Sequence, residues 1–379
     1  MRLLGKLFVL VCVCASSGHA DWAANLQRQC ASAVTVLADS GIPIREYNAD
    51  EIRAPASMVK LMQMLMVAEG LREERWALDD VITVSKYAAS IGGARVNLKE
   101  GEERTLAELL AAISVVSAND AAMAIAEGLW GSKEAYLKAM NARAKELGMA
   151  SSEFNSVNGL PPGPGEQPDR TNARDIALLA RQCIQEPLVM EWAGQRELTF
   201  REGEAARSNT NRLLGRMEDV DGLKTGFTRA AGWCLAATAE RNGIRLVSVL
   251  MGCATIDLRF SMTEALLEEG FRETERIRVL ARGERVEPDM IVQNCETSRT
   301  RLALAEDVWV TIPKHRKADL ALLTETPAVL HPPLDAGESL GKLRLALGEV
   351  VLAETDLILT EPLRPASLRW KMARTIAER

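Results

Sequence analysis

The sequence predicts an α/β layered domain followed by a small all-β domain. A chain of 379 residues can bury one large core and has room for two domains. Up to Phe271, apolar helical segments are flanked by β-like segments at both ends, which is typical of helices layered on a sheet. Beyond Phe271, short strand-like runs are separated by Gly and Pro turns. We therefore expect an α/β domain over residues 21–280 and a β-sandwich over residues 281–364.

In the first domain, the periodicity of the apolar residues indicates where the helices lie. The segment 57–69 is apolar almost all round and contains four Met, so this helix should lie in the core. Thr105 and Glu108 have the spacing of a capping box at the start of a second apolar helix, which should run to about residue 116. Later helices are expected, in order, at residues 120–129, 132–147, 172–183 and 255–269.

The strands of the first domain are short and rich in apolar and β-branched residues. One is expected near the start, at residues 31–37. The others follow the first five helices and are expected, in order, at residues 222–225, 232–239 and 244–251, with a hairpin turn at Asn242-Gly243. The Pro/Gly-rich segment 158–169 is expected to be a loop, and loops of this length in a compact domain are often functional.

The second domain and the tail have sequence patterns that differ from that of the first domain. Beyond Phe271, strands are expected at residues 276–280, 308–312 and 343–347, the last two of them within the second domain. The tail, residues 365–379, places Leu368, Met372 and Ile376 on one helical stripe among basic residues. Two interpretations stay open for it, an interfacial helix that holds the protein weakly on an anionic membrane surface and a solvated tail.

Charge and composition exclude some classes of protein. The net charge of −6 argues against a general nucleic-acid binder. No cluster of His and Cys has the spacing of metal ligands, and the three His are scattered, so we expect no metal site. Residues 1–20 have a basic start, a short apolar middle and a small-residue exit, which predicts a cleaved secretory signal. The alternative is an uncleaved membrane anchor, for which the apolar run is short.

Export would place five cysteines in an oxidising compartment. Their number is odd and their spacing indicates no disulfide framework; they are Cys30, Cys183, Cys234, Cys253 and Cys295. Cys234 and Cys253 fall on neighbouring strands of the predicted hairpin, but in a diagonal register that is long for a disulfide. We therefore expect free, mostly buried thiols.

Three short clusters carry the candidate chemistry. They are Ser57-Met58-Val59-Lys60, Ser117-Ala118-Asn119 and Lys224-Thr225-Gly226, in this order along the chain. Each cluster alone is weak, because Ser and Lys three residues apart occur often by chance. All three in order form the pattern S-x-x-K, S-x-N, K-T-G, which supplies a nucleophile, a base and a contact for a substrate carboxylate.

Ser57 and Lys60 lie one helical turn apart, so both side chains share a face. A serine hydroxyl becomes a good nucleophile only when a base within hydrogen-bond reach takes its proton, and a neutral amine can do so. An apolar helix disfavours the ammonium form of Lys60, as would a second cation such as Lys224. The alternative is a surface serine beside a solvated lysine, which the apolar helix disfavours.

Ser117 and Asn119 join two apolar helices, and two interpretations stay open for them. Either side chain could cap the next helix, which is the favoured reading of this cluster taken alone. In the functional interpretation, Ser117 relays a proton toward the leaving group and the Asn119 amide hydrogen-bonds the substrate backbone.

The third cluster lies on a predicted strand. Gly226 has no side chain, so an extended ligand can approach the strand edge. Lys224 and Thr225 would offer a cation and a hydroxyl to a terminal carboxylate, with Arg259 as a second cationic contact. The alternatives are a Gly-kinked edge strand with a solvated lysine and, for Arg259, a surface position. The backbone N–H groups of Ser57 and Phe227 are the expected oxyanion donors.

These segments resemble a known family. The sequences NADEIRAPASMVK, GGARVNLKEGE, SANDAAMAIAE and DGLKTGFT are similar to the low-molecular-mass penicillin-binding proteins, the D-alanyl-D-alanine carboxypeptidases of bacterial cell-wall maintenance, over residues 30 to 275. The segment GESLGKLRLALGEVVLAETDLILTEPL resembles their C-terminal β-sandwich. Two departures stand out: SAN replaces the commoner S-G-N, and Phe227 stands where the family often has His.

The resemblance has implications for fold and function. It implies a serine β-lactamase/penicillin-binding-like catalytic domain in which Ser57 is acylated, Lys60 is the base, Ser117 and Asn119 line the cleft and Lys224 binds substrate. It also implies a periplasmic enzyme that acts on peptidoglycan stem peptides without a cofactor and takes β-lactams as covalent inhibitors.

Two rival functions share the same clusters. A class A β-lactamase needs an E-x-x-L-N element, and none lies between Ser117 and Lys224. Glu166 in the Pro/Gly-rich loop is the residue considered as a substitute, but its surroundings do not match that element. A catalytically idle peptidoglycan-binding paralogue would be expected to have lost catalytic positions, and all of them are intact.

Overall fold

The structure, a computed structural model, describes residues 29–370 and Met372. The predicted signal at residues 1–20 lies outside the described residues, as does Ile376 of the stripe predicted for the tail. Of that stripe, Leu368 and Met372 are described, and both are exposed. Within the described part of the chain, no helix is both long and apolar enough to cross a membrane.

The elements follow the predicted order. A 3₁₀ turn covers Ala56–Val59. The α-helices are α1 (Lys60–Arg72), α2 (Lys86–Ser90), α3 (Leu106–Val116), α4 (Asn119–Trp130), α5 (Lys133–Glu146), α6 (Ala173–Cys183), α7 (Pro187–Gly194) and α8 (Ile256–Glu273). The strands are β1 (Ser32–Leu37), β2 (Pro43–Tyr47), β3 (Val81–Thr83), β4 (Glu103–Thr105), β5 (Glu197–Leu198), β6 (Arg207–Ser208), β7 (Val220–Thr228), β8 (Gly232–Arg241), β9 (Ile244–Cys253), β10 (Thr274–Leu280), β11 (Met290–Val292), β12 (Arg299–Thr300), β13 (Ala303–Leu304), β14 (Val308–Pro313), β15 (Leu320–Glu325), β16 (Val329–Leu330), β17 (Ser339–Leu347) and β18 (Val350–Ile358).

A five-stranded antiparallel sheet forms the central layer, in the order β2-β1-β9-β8-β7. Its two faces bury different side chains because successive residues of a strand point in opposite directions. On β8, Ala236 packs in the helical core, whereas Leu235 belongs to the apolar cluster around α8. The strand with the third sequence cluster, β7, is therefore an edge strand of a sheet that is covered on both faces.

Helix α1 lies inside the larger core, as its apolar sequence predicts. Nearly all of its side chains are buried, including Gln63, whose Nε2 donates to the Ala122 carbonyl oxygen at 2.8 Å. The N-terminal end differs from the expectation, because Ser57 lies in the 3₁₀ turn and the α-helix begins only at Lys60. Lys60 is therefore the first residue of a buried helix, which holds its backbone in place.

The C-terminal part is rich in β-structure, as expected. Its largest sheet has the order β13-β18-β17-β15. Strand β10 lies before residue 281, the predicted start of the second domain, but it pairs with β14 of the C-terminal part. The chain therefore leaves the first part of the molecule within β10. One apolar cluster includes Phe260 of α8 and Leu345 of β17, which joins the two parts of the molecule.

The expectation of five free thiols is wrong, because Cys30 and Cys253 form a disulfide across 223 residues. Strand β1 pairs with β9 in a register that places Ser32 opposite Met251, and two further residues outward bring Cys30 opposite Cys253. Cys30 and Cys253 are joined through the pairing of β1 with β9, strands that are remote in sequence, whereas a hairpin pattern relates only strands that follow one another. Cys183, Cys234 and Cys295 are free and buried.

We predict that reduction of this disulfide destabilises the protein. A crosslink between residues so far apart restricts the unfolded chain, and its loss typically costs about 2–5 kcal/mol. Thermal unfolding of the wild type should therefore occur at lower temperature with a reductant, and the Cys30→Ser/Cys253→Ser variant should unfold at the lower temperature in either condition. Equal unfolding temperatures of the wild type with and without reductant would contradict the disulfide.

Candidate active site

The site is built around Ser57 and Lys60. Ser57 lies in the 3₁₀ turn, and Lys60 is the first residue of α1, which follows directly. The two side chains face each other, with Lys60 Nζ at 2.9 Å from Ser57 Oγ. Ala56 precedes the serine with a φ of +49°, a left-handed conformation that is unfavourable for a residue other than glycine. Strain of this kind persists where the surrounding structure enforces it, and here it orients the serine.

Lys60 is fully buried, although its ammonium form would be strongly hydrated in water. Its Nζ donates to Asn119 Oδ1 at 2.6 Å and lies 3.1 Å from the Ser117 carbonyl oxygen. Burial, reinforced by the charge of Lys224, lowers the pKa of Lys60 well below its ordinary value, while Asp120 opposes the shift. Burial and the second cation outweigh Asp120, so the neutral amine, which can accept the serine proton, is more accessible than for a lysine in water.

The capping interpretation of the second cluster is wrong. Helix α4 has Ala118 as its N-cap residue and no side-chain hydrogen bond there. Ser117 instead ends α3 in the left-handed conformation, with φ +62°, and its Oγ lies 3.4 Å from Lys60 Nζ. Asn119 accepts from Lys60 and donates through Nδ2 to the Gly92 carbonyl oxygen at 2.8 Å.

Strand β7 faces the serine at very close range. A Cβ atom on Gly226 would lie 2.9 Å from the Pro55 carbonyl oxygen and 3.2 Å from Ser57 N. The absence of a side chain is therefore required for the approach of β7 to the 3₁₀ turn. The approach brings the backbone N–H of Ser57 close to the segment that carries Phe227, as the oxyanion hypothesis requires.

Lys224 is a residue of β7, and its side chain is almost completely buried. The alternative of a solvated lysine is therefore wrong. Burial, together with the charge of Arg259, lowers the pKa of Lys224 to about 7. Arg259 is itself only 3% exposed, so the surface position considered for it is wrong. Its guanidinium lies 4.4 Å from the Phe260 ring and 5.2 Å from the Trp233 ring, and Nη1 donates to the Cys234 carbonyl oxygen at 3.3 Å.

These groups surround one cleft of about 620 Å³. Seven of the predicted site residues line it, namely Ser57, Ser117, Asn119, Thr225, Gly226, Phe227 and Arg259. Lys60 and Lys224 are buried behind the lining. At the mouth, the half-exposed Phe227 ring stacks on Trp233 with 3.9 Å between the ring centroids. The cleft thus combines a nucleophile, a desolvated amine and cations suited to a small anionic substrate.

Two functional groups were not found by the sequence analysis. The Asn158 carbonyl oxygen accepts from Lys60 Nζ at 3.2 Å and from Ser57 Oγ at 3.3 Å. Asp120 accepts from the backbone N–H groups of Val96 and Leu98 and so anchors the segment that forms one wall of the cleft. The Pro/Gly-rich composition pointed to the loop that starts at Asn158, but no pattern marks a backbone carbonyl group.

Glu166, the residue considered for β-lactamase chemistry, is directed elsewhere. Its carboxylate pairs with Lys133 at 2.9 Å and accepts from Gly163 N at 2.9 Å. It is exposed and is absent from the residues that line the cleft.

A serine paired with a buried lysine, facing a glycine-containing edge strand, defines an acyl-transferring protein of the penicillin-binding and serine β-lactamase type. Residues 19–255 match the family described as D-alanyl-D-alanine carboxypeptidase, peptidase S11, and residues 275–363 match the C-terminal domain of penicillin-binding protein 5. The chain belongs to the D-alanyl-D-alanine carboxypeptidase family, since the first match covers more than half of its length. The predicted family and the predicted fold class are confirmed.

Individual relatives align over most of the chain. D-alanyl-D-alanine carboxypeptidase DacF of Bacillus subtilis is 31% identical over 358 residues, which cover 93% of this chain and 91% of DacF. DacC of Escherichia coli is 34% identical over 335 residues, which cover 85% of this chain and 81% of DacC. The crystal structure of penicillin-binding protein 5 from Haemophilus influenzae superposes with a TM-score of 0.70 at 26% identity, covering 89% of this chain and 98% of that one.

The two buried cations predict a bell-shaped pH dependence for the second-order rate constant of acylation by penicillin. The rate should fall at low pH, where Lys60 is protonated, and above about pH 7, where Lys224 loses the charge that attracts the carboxylate. Stopped-flow measurements with a fluorescent penicillin would give this profile. Lys224→Arg keeps its charge at higher pH, so the fall in rate on the alkaline side should shift to higher pH in this variant. An unchanged alkaline pH profile would contradict the assignment to Lys224.

Proposed function

We propose that the protein is a serine-type D-Ala-D-Ala carboxypeptidase that removes the terminal D-alanine from peptidoglycan pentapeptide stems. The observation that carries the proposal is the contact of 2.9 Å between Ser57 Oγ and the Nζ of a fully buried Lys60. A neutral amine has two N–H bonds and one lone pair. The carbonyl oxygens of Asn119, Ser117 and Asn158 all lie within hydrogen-bond reach of Nζ, so two of them can accept its N–H bonds while the lone pair is available to the serine hydroxyl.

In the proposed acylation, Ser57 Oγ bonds to the carbonyl carbon of the penultimate D-alanine while its proton passes to Lys60 Nζ. The carbonyl π electrons move onto the oxygen, which the backbone N–H groups of Ser57 and Phe227 stabilise. Collapse of this intermediate breaks the C–N bond, and Ser117 relays the proton from Lys60 to the departing amine. Water then hydrolyses the ester and frees Ser57.

The cations determine which substrate fits. Lys224, Thr225 and Arg259 would bind the carboxylate of the terminal D-alanine, since no carboxylate neutralises either cation among the contacts of the described residues. β-Lactams carry a carboxylate beside their reactive amide, so they would acylate Ser57 in the same orientation. A solved relative, penicillin-binding protein D2 from Listeria monocytogenes in the cefotaxime-bound form, is 32% identical with a TM-score of 0.55 and covers 64% of this chain.

Ser57→Ala should abolish both covalent labelling by penicillin and release of D-alanine from a pentapeptide, because the only proposed nucleophile is lost. Gel detection of a fluorescent penicillin and an assay for free D-alanine check the two outcomes. Circular dichroism should show an unchanged fold.

The same assays separate the rival functions. Rapid turnover of penicillin with little release of D-alanine would favour a β-lactamase, and neither labelling nor release in the wild type would favour an idle paralogue. Labelling that persists in Ser57→Ala would overturn the assignment of the nucleophile.

We also infer that the mature protein is periplasmic and is held weakly on the outer face of the cytoplasmic membrane by its tail. The export signal predicted at residues 1–20 and the basic composition of residues 365–379 support this location. Leu368 and Met372 are exposed, as a lipid-facing stripe would be in the absence of lipid.

Truncation after Ser367 should release the protein from membranes. This end point keeps Ala366, which is buried and donates to the Asn294 carbonyl oxygen at 2.7 Å, so the β-domain should stay intact. The mature protein should sediment with anionic phosphatidylglycerol vesicles at low salt and less at high salt, whereas the truncated protein should stay in solution. A full-length mature protein that ignores anionic vesicles at low salt would contradict the anchor.

A further inference from the structure

The turn at Asn158-Gly159 contacts the nucleophile and the base at once. The Asn158 carbonyl oxygen lies 3.2 Å from Lys60 Nζ and 3.3 Å from Ser57 Oγ. Gly159 has a φ of +79°, and a Cβ atom there would lie 2.0 Å from the Ala56 carbonyl oxygen. The turn therefore packs directly on the backbone of the 3₁₀ turn, and a shift of either one changes the distances from the Asn158 carbonyl oxygen to Ser57 Oγ and Lys60 Nζ.

The chain that follows this turn cannot hold it in place. Residues 161–168 are all exposed and form the outer part of the Pro/Gly-rich loop. Exposed loops with few packing contacts are among the least stable parts of a fold. Besides its contacts with the 3₁₀ turn, the turn therefore depends on interactions at the base of the loop.

A buried carboxylate and a hydroxyl close the base of the loop. Asp169 is 7% exposed, and its Oδ2 accepts from Ser156 Oγ at 2.6 Å. Its Oδ1 accepts from Asn155 N at 2.6 Å and from Ser156 N at 2.8 Å. Ser156 Oγ in turn accepts from Gly159 N at 2.7 Å. A continuous chain of hydrogen bonds thus runs from Asp169 through Ser156 to the turn at Asn158-Gly159.

We propose that Ser156 and Asp169 are positioning residues for acylation, acting through the Asn158 carbonyl group. This inference rests on the proposed function of Ser57 and Lys60. Burial of a carboxylate is costly unless hydrogen bonds compensate it, and here all three donors belong to the segment that leads into the turn. The bridge holds the carbonyl oxygen at a fixed distance from Lys60 Nζ, so the amine stays aligned with Ser57 Oγ.

The chain contains a matched control, the pair Ser152 and Asp175. Asp175 Oδ2 accepts from Ser152 Oγ at 2.8 Å and from Ser151 N at 2.9 Å, which is the same chemistry a few residues away. Ser152 also bonds Thr171 Oγ1 at 2.7 Å. None of the hydrogen bonds of this pair, among the described residues, reaches Asn158 or Gly159.

The test compares Ser156→Ala, Ser156→Thr, Asp169→Asn and Ser152→Ala in single-turnover acylation by a fluorescent penicillin. Ser156→Ala should lower the first-order acylation rate constant by about 10- to 100-fold, the size expected for a catalytic group displaced by about 1 Å. The dissociation constant of the non-covalent complex should change little, because Lys224, Thr225 and Arg259 are untouched. Ser156→Thr keeps the hydroxyl and should restore most of the rate.

The remaining variants separate positioning from stability. Ser152→Ala should lower the unfolding temperature but leave the acylation rate of the folded fraction at the wild-type value. Asp169→Asn should slow acylation as Ser156→Ala does, and the double variant should be no slower than the worse single variant, since both act through one bridge.

Two outcomes would overturn the proposal. One is acylation by Ser156→Ala at the rate of Ser152→Ala, and the other is an equal loss in Ser156→Ala and Ser156→Thr. Failure of the proposed function would look different, because the wild type itself would not be labelled or Ser57→Ala would retain the label.

Discussion

The exclusion of water from Lys60 is the constraint on which the rest of the site depends. In water, a lysine is protonated at neutral pH and cannot remove a proton from serine. Here α1 is surrounded by the core along its length, so the lysine at its first residue is desolvated by the same packing that holds the domain together. The apolar composition of this helix therefore serves the fold and the chemistry together.

The cations of the cleft have two consequences for the reaction. The charge of Lys224 disfavours a second charge on Lys60 and so adds to the effect of burial in lowering the pKa of the proposed base, and Arg259 has the corresponding effect on Lys224. An anionic substrate that enters the cleft would stabilise the charged form of Lys224. Binding of a carboxylate and protonation of the two lysines are thus electrostatically coupled.

The sequence predicted those parts of the structure that depend on local patterns. The apolar periodicity of α1, the capping box of Thr105 and Glu108 and the strands around Asn242-Gly243 all appear where expected, within a few residues. Contacts between remote residues were not predicted, because no local pattern encodes them. The Cys30–Cys253 disulfide depends on the pairing of β1 with β9, and the role of Asn158 depends on its backbone carbonyl group, which every residue possesses. For Ser117, local propensity favoured a cap, but the turn geometry between the two helices directs the residue to Lys60.

The close approach of backbone segments restricts which residues fit at some positions of the site. Gly226 and Gly159 both lie against the 3₁₀ turn, at distances that a Cβ atom would violate. Ala56 and Ser117 have left-handed conformations that cost about 1–3 kcal/mol each where the residue is not glycine. Such strain persists only when the surrounding packing enforces it, and the enforced geometry brings Ser57, Lys60 and the proposed oxyanion donors together before any substrate arrives. Phe227 is free of this constraint because its side chain is half exposed at the cleft mouth, so a departure from the family pattern there alters the rim of the cleft and leaves its backbone N–H in place.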